Sequence, residues 1–466
     1  MKDVPIIIIS FNNYKYVQNT ITQLEKVNPI ILKDIIIMDN NSSDPSTINY
    51  LNTTKYKVVR NSENKGPWIE NYKDFYNSLP NQFIITDPDL EFNKDLPKNF
   101  IQILLNLSDK FKCHKIGFAL NINDFDQMYS SIYYNNSNIY DWEKQFWNIK
   151  IDDPNYELYN AEIDTTFCLI NKRASHKSSK RIRIAGNFTA KHLPWYKNNS
   201  FYNAYEKYIY GTNSYSTISK LFLTHIYNDF IITSKNNEKF LIEKSISENS
   251  DFWKNIYPSW ESDTFQVFDR FLNKKKIFID IGAWIGTTSM YGSRKSKHVY
   301  SVEADNLSIK DLSLNLSNNC IDNNYTLINK AIFNQDESLS NSIKVKTITI
   351  NSIINRYKIN PNDISLIKVD IEGGEENIFN DLQNLNSRYK IPIYISMYYK
   401  WWKNKNLDRF SFLTQEHKNN IKNNPFVNLL FTDGDIEMNN SKNRDYRLKK
   451  NKLLNKWIQW IRSIFN

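Results

Sequence analysis

The stretch Lys276–Asp305, KIFIDIGAWIGTTSMYGSRKSKHVYSVEAD, constrains the fold of this chain more than any other. Ile277–Ile281 is a short apolar run of the kind that fills a parallel strand buried on both faces. Gly282 and Gly286 bracket a turn, a helix follows, and His298–Val302 is the next β-rich run, closing on Glu303. Strand, turn, helix and strand in that order predict a doubly wound α/β sheet. An acid about 20 residues beyond a glycine turn is placed to take the ribose hydroxyls of an adenosine.

The turn narrows the choice of adenosine. A dinucleotide site needs glycines where the backbone closes on a pyrophosphate. Here the centre of the turn is Ala283-Trp284-Ile285, with Trp284 where such sites place glycine. S-adenosylmethionine carries no phosphate and tolerates that crowding, with Asp280 facing its methionine end and Glu303 its ribose. The plain alternative is a doubly wound domain with an empty turn. Against it stands LIKVDIEGGEE at Leu366–Glu376. Ile364–Val369 is another buried strand, ended by Asp370, Glu372 and Gly373-Gly374, and strand ends are where open α/β sheets bind ligands.

DIGAWIG, VEAD, INKAIF and VDIEGGE together resemble the FkbM-type methyltransferases, over roughly Phe252–Phe431. The resemblance implies a class I, Rossmann-like domain that uses S-adenosylmethionine, in a family where many members methylate sugar hydroxyls. It implies that Asp280, Gly282, Ala283, Gly286, Glu303 and Ala331 hold the cofactor. Asp370 and Glu372 would lie at the reacting end as catalytic residues. The chain departs from the family at Ile393–Trp402, IYISMYYKWW, where relatives carry an acid or a histidine around Ser396 and Tyr398.

The N-terminal half repeats the alternation with different chemistry. Val4–Ile9, Ile35–Met38, Tyr56–Val59 and Phe83–Thr86 read as strands, and Val17, Ile21, Leu24 and Val27 recur at helical spacing. The strand ends carry Ser10-Phe11-Asn12-Asn13, then Asp39 in DNNSSD, then Asp87-Pro88-Asp89. Ser10 and Asn12 can cradle a nucleotide, Asp39 can bond a base, and a D-x-D carboxylate pair suits Mg2+ or Mn2+ bridging a diphosphate.

Together these signals resemble the GT-A fold of glycosyltransferases, nearest the family-2-like enzymes, over about Lys2–Asn198. The resemblance implies that Ser10, Asn12, Asp39 and Asp87 bind the nucleotide sugar and that Asp89 binds the metal. A late histidine and a late carboxylate complete such sites. His192 in GNFTAKHLPWY is the candidate metal ligand, and Asp164 in AEIDTTFCLINK the candidate base. The bland alternatives are a satisfied surface histidine and a strand-edge aspartate.

At 466 residues two or three domains are expected. They are 1–228, a hairpin and helix over 229–275, the methyltransferase-like domain over 276–444, and a basic amphipathic helix over 445–466. That tail, with Trp457, Ile458, Ile461, Ile464 and Phe465 on one face, can lie on an anionic membrane or dock on protein. The three cysteines, far apart, fit a reducing compartment, and no run is long enough to span a bilayer. A cytoplasmic enzyme touching a membrane peripherally is the expectation. A net charge of +10 favours anionic partners. The partners expected are a nucleoside-diphosphate sugar and an oligosaccharide or glycolipid acceptor, with no nucleic acid. The rivals are an RNA-modifying methyltransferase and a scaffold with a decayed transferase half.

Overall fold

The computed structural model describes residues 4–440 apart from 131, 135, 165, 175–179, 198, 214–216, 246–249, 336–345, 372–373, 400–401, 403–405, 425–426 and 434. Glu372 and the basic helix expected at Asp445–Asn466 lie outside the described residues. The chain forms two compact units whose segments alternate between Tyr202 and His225. One takes residues up to Tyr202 with Tyr210–Thr224, the other Asn203–Ile209 with residues from His225 onward. No helix among the described residues is long and apolar enough to cross a membrane.

The first unit is built on a nine-stranded sheet. Lys57–Arg60, Ile35–Asp39, Ile6–Ser10 and Gln82–Thr86 run parallel in that spatial order. Cys168–Asn171 runs antiparallel between Gln82–Thr86 and Lys115–Phe118, and Arg181–Ile184, Leu158–Asn160 and Lys150–Ile151 complete the sheet. Every residue of Ile6–Ser10 is buried because successive side chains feed opposite cores. Ile6 and Ile8 pack with Val17, Ile21 and Leu24 of the helix Tyr14–Val27, while Ile7 and Ile9 pack with Ile69, Phe83 and Ile85. From Ile6–Ser10 the chain winds outward to Lys57–Arg60, then returns to the other side at Gln82–Thr86. That reversal opens a crevice beyond the carboxyl ends of the two strands, between Ser10 and Asp87–Asp89.

The second unit repeats the device in a seven-stranded sheet. Its spatial order is Tyr325–Asn329, His298–Glu303, Ile277–Ile281, Ile364–Val369, Ile393–Met397, Val427–Phe431 and Ile436–Asn440. The first five strands are parallel and the last two antiparallel to their neighbours. Ile279, Ile281, Ile367 and Val369 pack with Phe379 and Leu382 on one face. Phe278 and Leu366 pack with Phe265, Phe268 and Tyr291 on the other. The winding reverses between Ile277–Ile281 and Ile364–Val369, which sets Gly282 beside Asp370. The expected hairpin pairs Phe230–Lys235 with Glu238–Glu243 and belongs to this unit. It turns at Asn236 and Asn237, both left-handed, as a two-residue turn requires.

Candidate functional site

In the first unit, Leu90–Phe92 continues from the D-x-D turn and pairs antiparallel with Ala190–His192, setting His192 opposite Leu90. The imidazole Nε2 thereby stands 3.4 Å from Asp89 Oδ1. Both residues are buried, Asp89 at 7% and His192 at 9% exposure, and among the described residues Asp89 Oδ1 and His192 Nδ1 have no hydrogen-bond partner. Orphaned buried polar atoms are costly and call for a ligand that satisfies them. Burial pulls the His192 pKa down, but Asp89, with Asp87 and Asp164 behind it, outweighs burial and raises it. Among the described residues no three His, Cys, Asp or Glu side chains gather into a metal cage. Two protein ligands still fit a hard divalent ion that takes its remaining oxygens from water and a diphosphate.

Asp39 is buried at the end of the neighbouring strand, where it accepts from Ser42 N at 3.1 Å and faces Arg60 at 3.6 Å. Asn12 ties two loops together. It is left-handed, with φ 54°, and its Oδ1 accepts from the N–H groups of Ser43 and Asp44, both at 2.8 Å. Its own N–H donates to Ser42 Oγ at 2.9 Å, so Asn12 closes the first loop onto the second. Ser10 is fully buried and bonds Asn13 Oδ1 at 3.1 Å. Asn40, which sequence reasoning passed over, holds the third loop through Gly66 O and Asn61 Nδ2, both at 2.9 Å.

Asp164 is exposed in an irregular stretch before Cys168–Asn171. Cys168 pairs with Ile85, so the residues preceding it run alongside Asp87–Asp89. Two buried cations grip that stretch by three successive carbonyls. Arg183 Nε donates to Glu162 O at 2.7 Å, and Lys115 Nζ donates to Ile163 O at 3.0 Å and Asp164 O at 2.5 Å. Sequence reasoning missed both, because a basic residue inside a strand gains meaning only once its neighbours across the sheet are known. Glu143 pairs with Arg183 in a buried ion pair. Burial pushes the Glu143 carboxyl up to about 7, against the opposing pull of Arg183 and, more weakly, His192.

In the second unit the two central strand ends touch. Gly282 has φ 76°, and a Cβ there would lie 2.0 Å from Asp370 O, so only glycine fits. Asp370, itself buried, donates its N–H to Ile281 O at 3.0 Å. Glu303 accepts from Trp284 N through Oε2 and from Asp305 N through Oε1, each at 2.8 Å. Burial pushes its carboxyl up to about 7, against those backbone bonds. Trp284 holds the left-handed conformation, φ 49°, that lets its N–H reach Glu303. Ala283 is fully buried, and Gly286, φ 93°, opens the helix Thr287–Lys295. Ala331 follows the strand whose Asn329 pairs with Glu303, so it sits at the same sheet edge.

Asp280 is held inside the fold. Its side chain is completely buried, and Oδ2 accepts from the Thr288 and Ser289 hydroxyls at 2.7 and 2.6 Å. Lys368 Nζ lies 3.1 Å from Oδ1. One residue short of the strand's last position, Asp280 points into the packed helix rather than over the edge. In the segment that departs from the family pattern, Ser396 and Tyr398 are both buried. Trp402 Nε1 donates to Glu375 Oε2 at 3.1 Å, and Arg409 pairs with Glu376 at 3.2 Å, so these two acids brace the loop after Asp370.

Residues 6–176 match the family model described as Glycosyl transferase family 2, and residues 280–424 match the one described as Methyltransferase FkbM domain. The chain carries these two α/β domains in tandem, a GT-A domain followed by a methyltransferase domain. No curated protein matches it in sequence. Among solved structures it is similar to a precorrin 8w decarboxylase from Methanobacterium thermoautotrophicum, at 15% identity and TM-score 0.21, over 30% of this chain and 64% of that one. It is similar to an rRNA methylase from Streptococcus thermophilus, at 17% identity and TM-score 0.24, over 33% of this chain and 80% of that one. It is also similar to a mannosyltransferase from Pyrobaculum calidifontis, at 9% identity and TM-score 0.28, over 48% of this chain and 69% of that one.

Proposed function

We propose that this chain is a bifunctional glycan-building enzyme. Its first unit transfers a sugar from a nucleoside-diphosphate sugar to an oligosaccharide or glycolipid acceptor, with Mn2+ or Mg2+. Its second unit moves the methyl group of S-adenosylmethionine to a sugar hydroxyl. The observation that carries the reading is the Asp89–His192 pair, 3.4 Å apart with orphaned atoms at the reversal of the sheet.

Asp89 and His192 would hold the cation, which would supply positive charge for a departing diphosphate. Asp39 accepts from the base, and Asp87 lies beside the sugar diphosphate. A hydroxyl is a poor nucleophile at neutral pH, so Asp164 takes its proton as it attacks. In the second unit Glu303 would accept from the ribose hydroxyls of S-adenosylmethionine, and the bare backbone at Gly282 would leave room for the cofactor at the strand ends. Ala283, Gly286 and Ala331 line the same edge. Asp370, with Glu372, receives the proton of the methylated hydroxyl, and alignment supplies most of the remaining rate.

The fusion favours a sequence in which the sugar installed by the first unit is the one methylated by the second. A tether raises the local concentration of that intermediate to about the millimolar range. Thermal-shift measurements with UDP or GDP plus Mn2+, and separately with S-adenosylhomocysteine, test the reading, because ligands of the folded state raise Tm. If neither nucleotide shifts Tm in a metal-dependent way, the transferase half of the proposal fails. No shift with S-adenosylhomocysteine ends the other half.

A further inference from the structure

Between Lys115–Phe118 and Leu158–Asn160 the first unit carries a long insertion, which includes the hairpin strands Ile132–Tyr134 and Ser137–Asn138 and the helix Ile139–Lys144. Lys115–Phe118 is antiparallel to Cys168–Asn171, which is antiparallel to Gln82–Thr86. It therefore points the same way as Gln82–Thr86, and the insertion emerges on the edge that bears Asp87–Asp89. The insertion is also sewn to the segment around His192. Leu120 bridges Ala190, Met128 bridges Tyr196, and Tyr129 N donates to Trp195 O at 2.9 Å.

A row of rings runs through this insertion. Tyr134 packs on Trp142 at 4.4 Å between centroids and 62° between planes, and Trp142 packs on Phe146 at 5.7 Å and 84°. Phe146 in turn lies under the Arg183 guanidinium, whose Cζ is 4.1 Å from the ring centroid. Arg183 is the cation that holds Glu162 O in the Asp164 stretch. One end of the row is therefore anchored to the scaffold of the candidate base. The other end is open, with Tyr134 46% exposed and Trp142 half-buried.

We propose that Tyr134, Trp142 and Phe146 form the platform on which the first unit seats the pyranose rings of its acceptor glycan. The assignment rests on the transferase reading and names a site for its second substrate. An edge-to-face contact takes the edge of one ring and one face of the other, and Tyr134, at 46% exposure, still offers ring surface to a ligand. A pyranose presents C–H groups on its faces and hydroxyls on its rim, so it pairs with an aromatic face flanked by polar groups. Asp141, next to Trp142 in the chain, and Gln145, three residues beyond it, are both exposed. A lipid surface needs an unbroken apolar face, which Asp141 and Lys144 interrupt. A row that served only packing would bury its outer member, and Tyr134 is the most exposed of the three.

The test uses the full-length protein and saturation-transfer NMR with maltohexaose, cellohexaose, laminarihexaose and chitohexaose. The expected result is that the wild type binds at least one of them. Trp142→Ala should weaken that binding about tenfold, the loss of one stacked ring, at unchanged Tm. Tyr134→Ser, at the open end, decides the matter if Trp142→Ala does not fold. Hexasaccharide binding equal in wild type and both variants overturns the platform, as does a wild type that binds none of the four sugars. Loss of anionic-vesicle binding in Trp142→Ala, with sugar binding intact, overturns it in favour of a membrane surface. Binding of UDP or GDP with Mn2+ to the wild type is measured separately. Its absence ends the transferase reading, whereas its presence beside unaffected sugar binding ends only the platform.

Discussion

Lys368 Nζ stands 3.1 Å from Asp280 Oδ1, and the two residues are register partners on the central strands of the second unit. The same ammonium donates to Gly282 O at 2.8 Å, so one buried cation neutralises the carboxylate and pins the first residue of the glycine turn. Removing one member of such a pair strands the other charge away from water, which costs about 3–5 kcal/mol. Lys368→Met should therefore destabilise the second unit by about that much in urea unfolding and weaken S-adenosylhomocysteine binding. Asp280→Asn combined with Lys368→Met should recover part of the loss, because no unpaired charge remains. A double variant no more stable than Lys368→Met alone would contradict the pairing.

The pairing of Asp280 with Lys368 marks how much the sequence discloses. Strands such as Ile6–Ser10 and Ile277–Ile281 are legible because burial on both faces demands an unbroken apolar run. Gly282 is legible because no other residue lets the backbone approach Asp370 so closely. Which way a polar residue within a strand points depends on the neighbouring strand, and Lys368 is far from Asp280 in the chain. Lys115 and Arg183 were hidden for the same reason, since their partners are backbone carbonyls of a distant irregular stretch. Asp89 and His192 were recognisable by type, but their meeting depends on the pairing of His192 with Leu90. Trp142 and Phe146 stand at helical spacing, but Tyr134 lies on a hairpin strand before that helix, so periodicity does not disclose that the three rings meet.

Glu303 provides a pH test. The folded protein holds its proton up to about 7, whereas an unfolded glutamate releases it near 4.5. Between those values the folded state binds more protons, so this group's contribution to stability falls as pH rises through the window. Glu303→Gln should lack that slope, whatever its absolute stability. Cofactor affinity should move the other way, because ribose hydroxyls donate more strongly to the carboxylate than to the neutral acid. Wild-type affinity for S-adenosylhomocysteine should rise with pH through about 7, measured by calorimetry. Glu303→Gln should bind more weakly and without pH dependence, and a flat wild-type profile would remove Glu303 from the ribose site.

The two activities should be separable. Asp89→Ala removes a buried acid facing His192 and should abolish Mn2+-dependent binding of a nucleoside diphosphate. S-adenosylhomocysteine affinity, set in the other compact unit, should stay within about twofold, since sites without shared partners behave additively. Loss of both in a folded variant, by paired calorimetric titrations, would refute the two-site description.

The grip of Lys115 and Arg183 on Glu162, Ile163 and Asp164 makes these cations positioning residues for the candidate base. Lys115→Met keeps the chain length of the side chain but leaves the carbonyls of Ile163 and Asp164 without their donor. The stability cost should be about 1–3 kcal/mol for each carbonyl left without a replacement partner. A purely structural role would end there, lowering Tm and leaving turnover per folded molecule intact. Displacement of Asp164 by even about 1 Å should instead lower kcat by up to about a hundredfold. The KM for the nucleotide sugar should hardly change, because Asp39, Asp89 and His192 do not depend on those carbonyls. Lys115→Arg, which restores a donor to the same oxygens, should recover part of kcat. An unchanged kcat in folded Lys115→Met would reduce the clamp to scaffolding, and a raised donor KM with normal kcat would place Asp164 on the donor side instead.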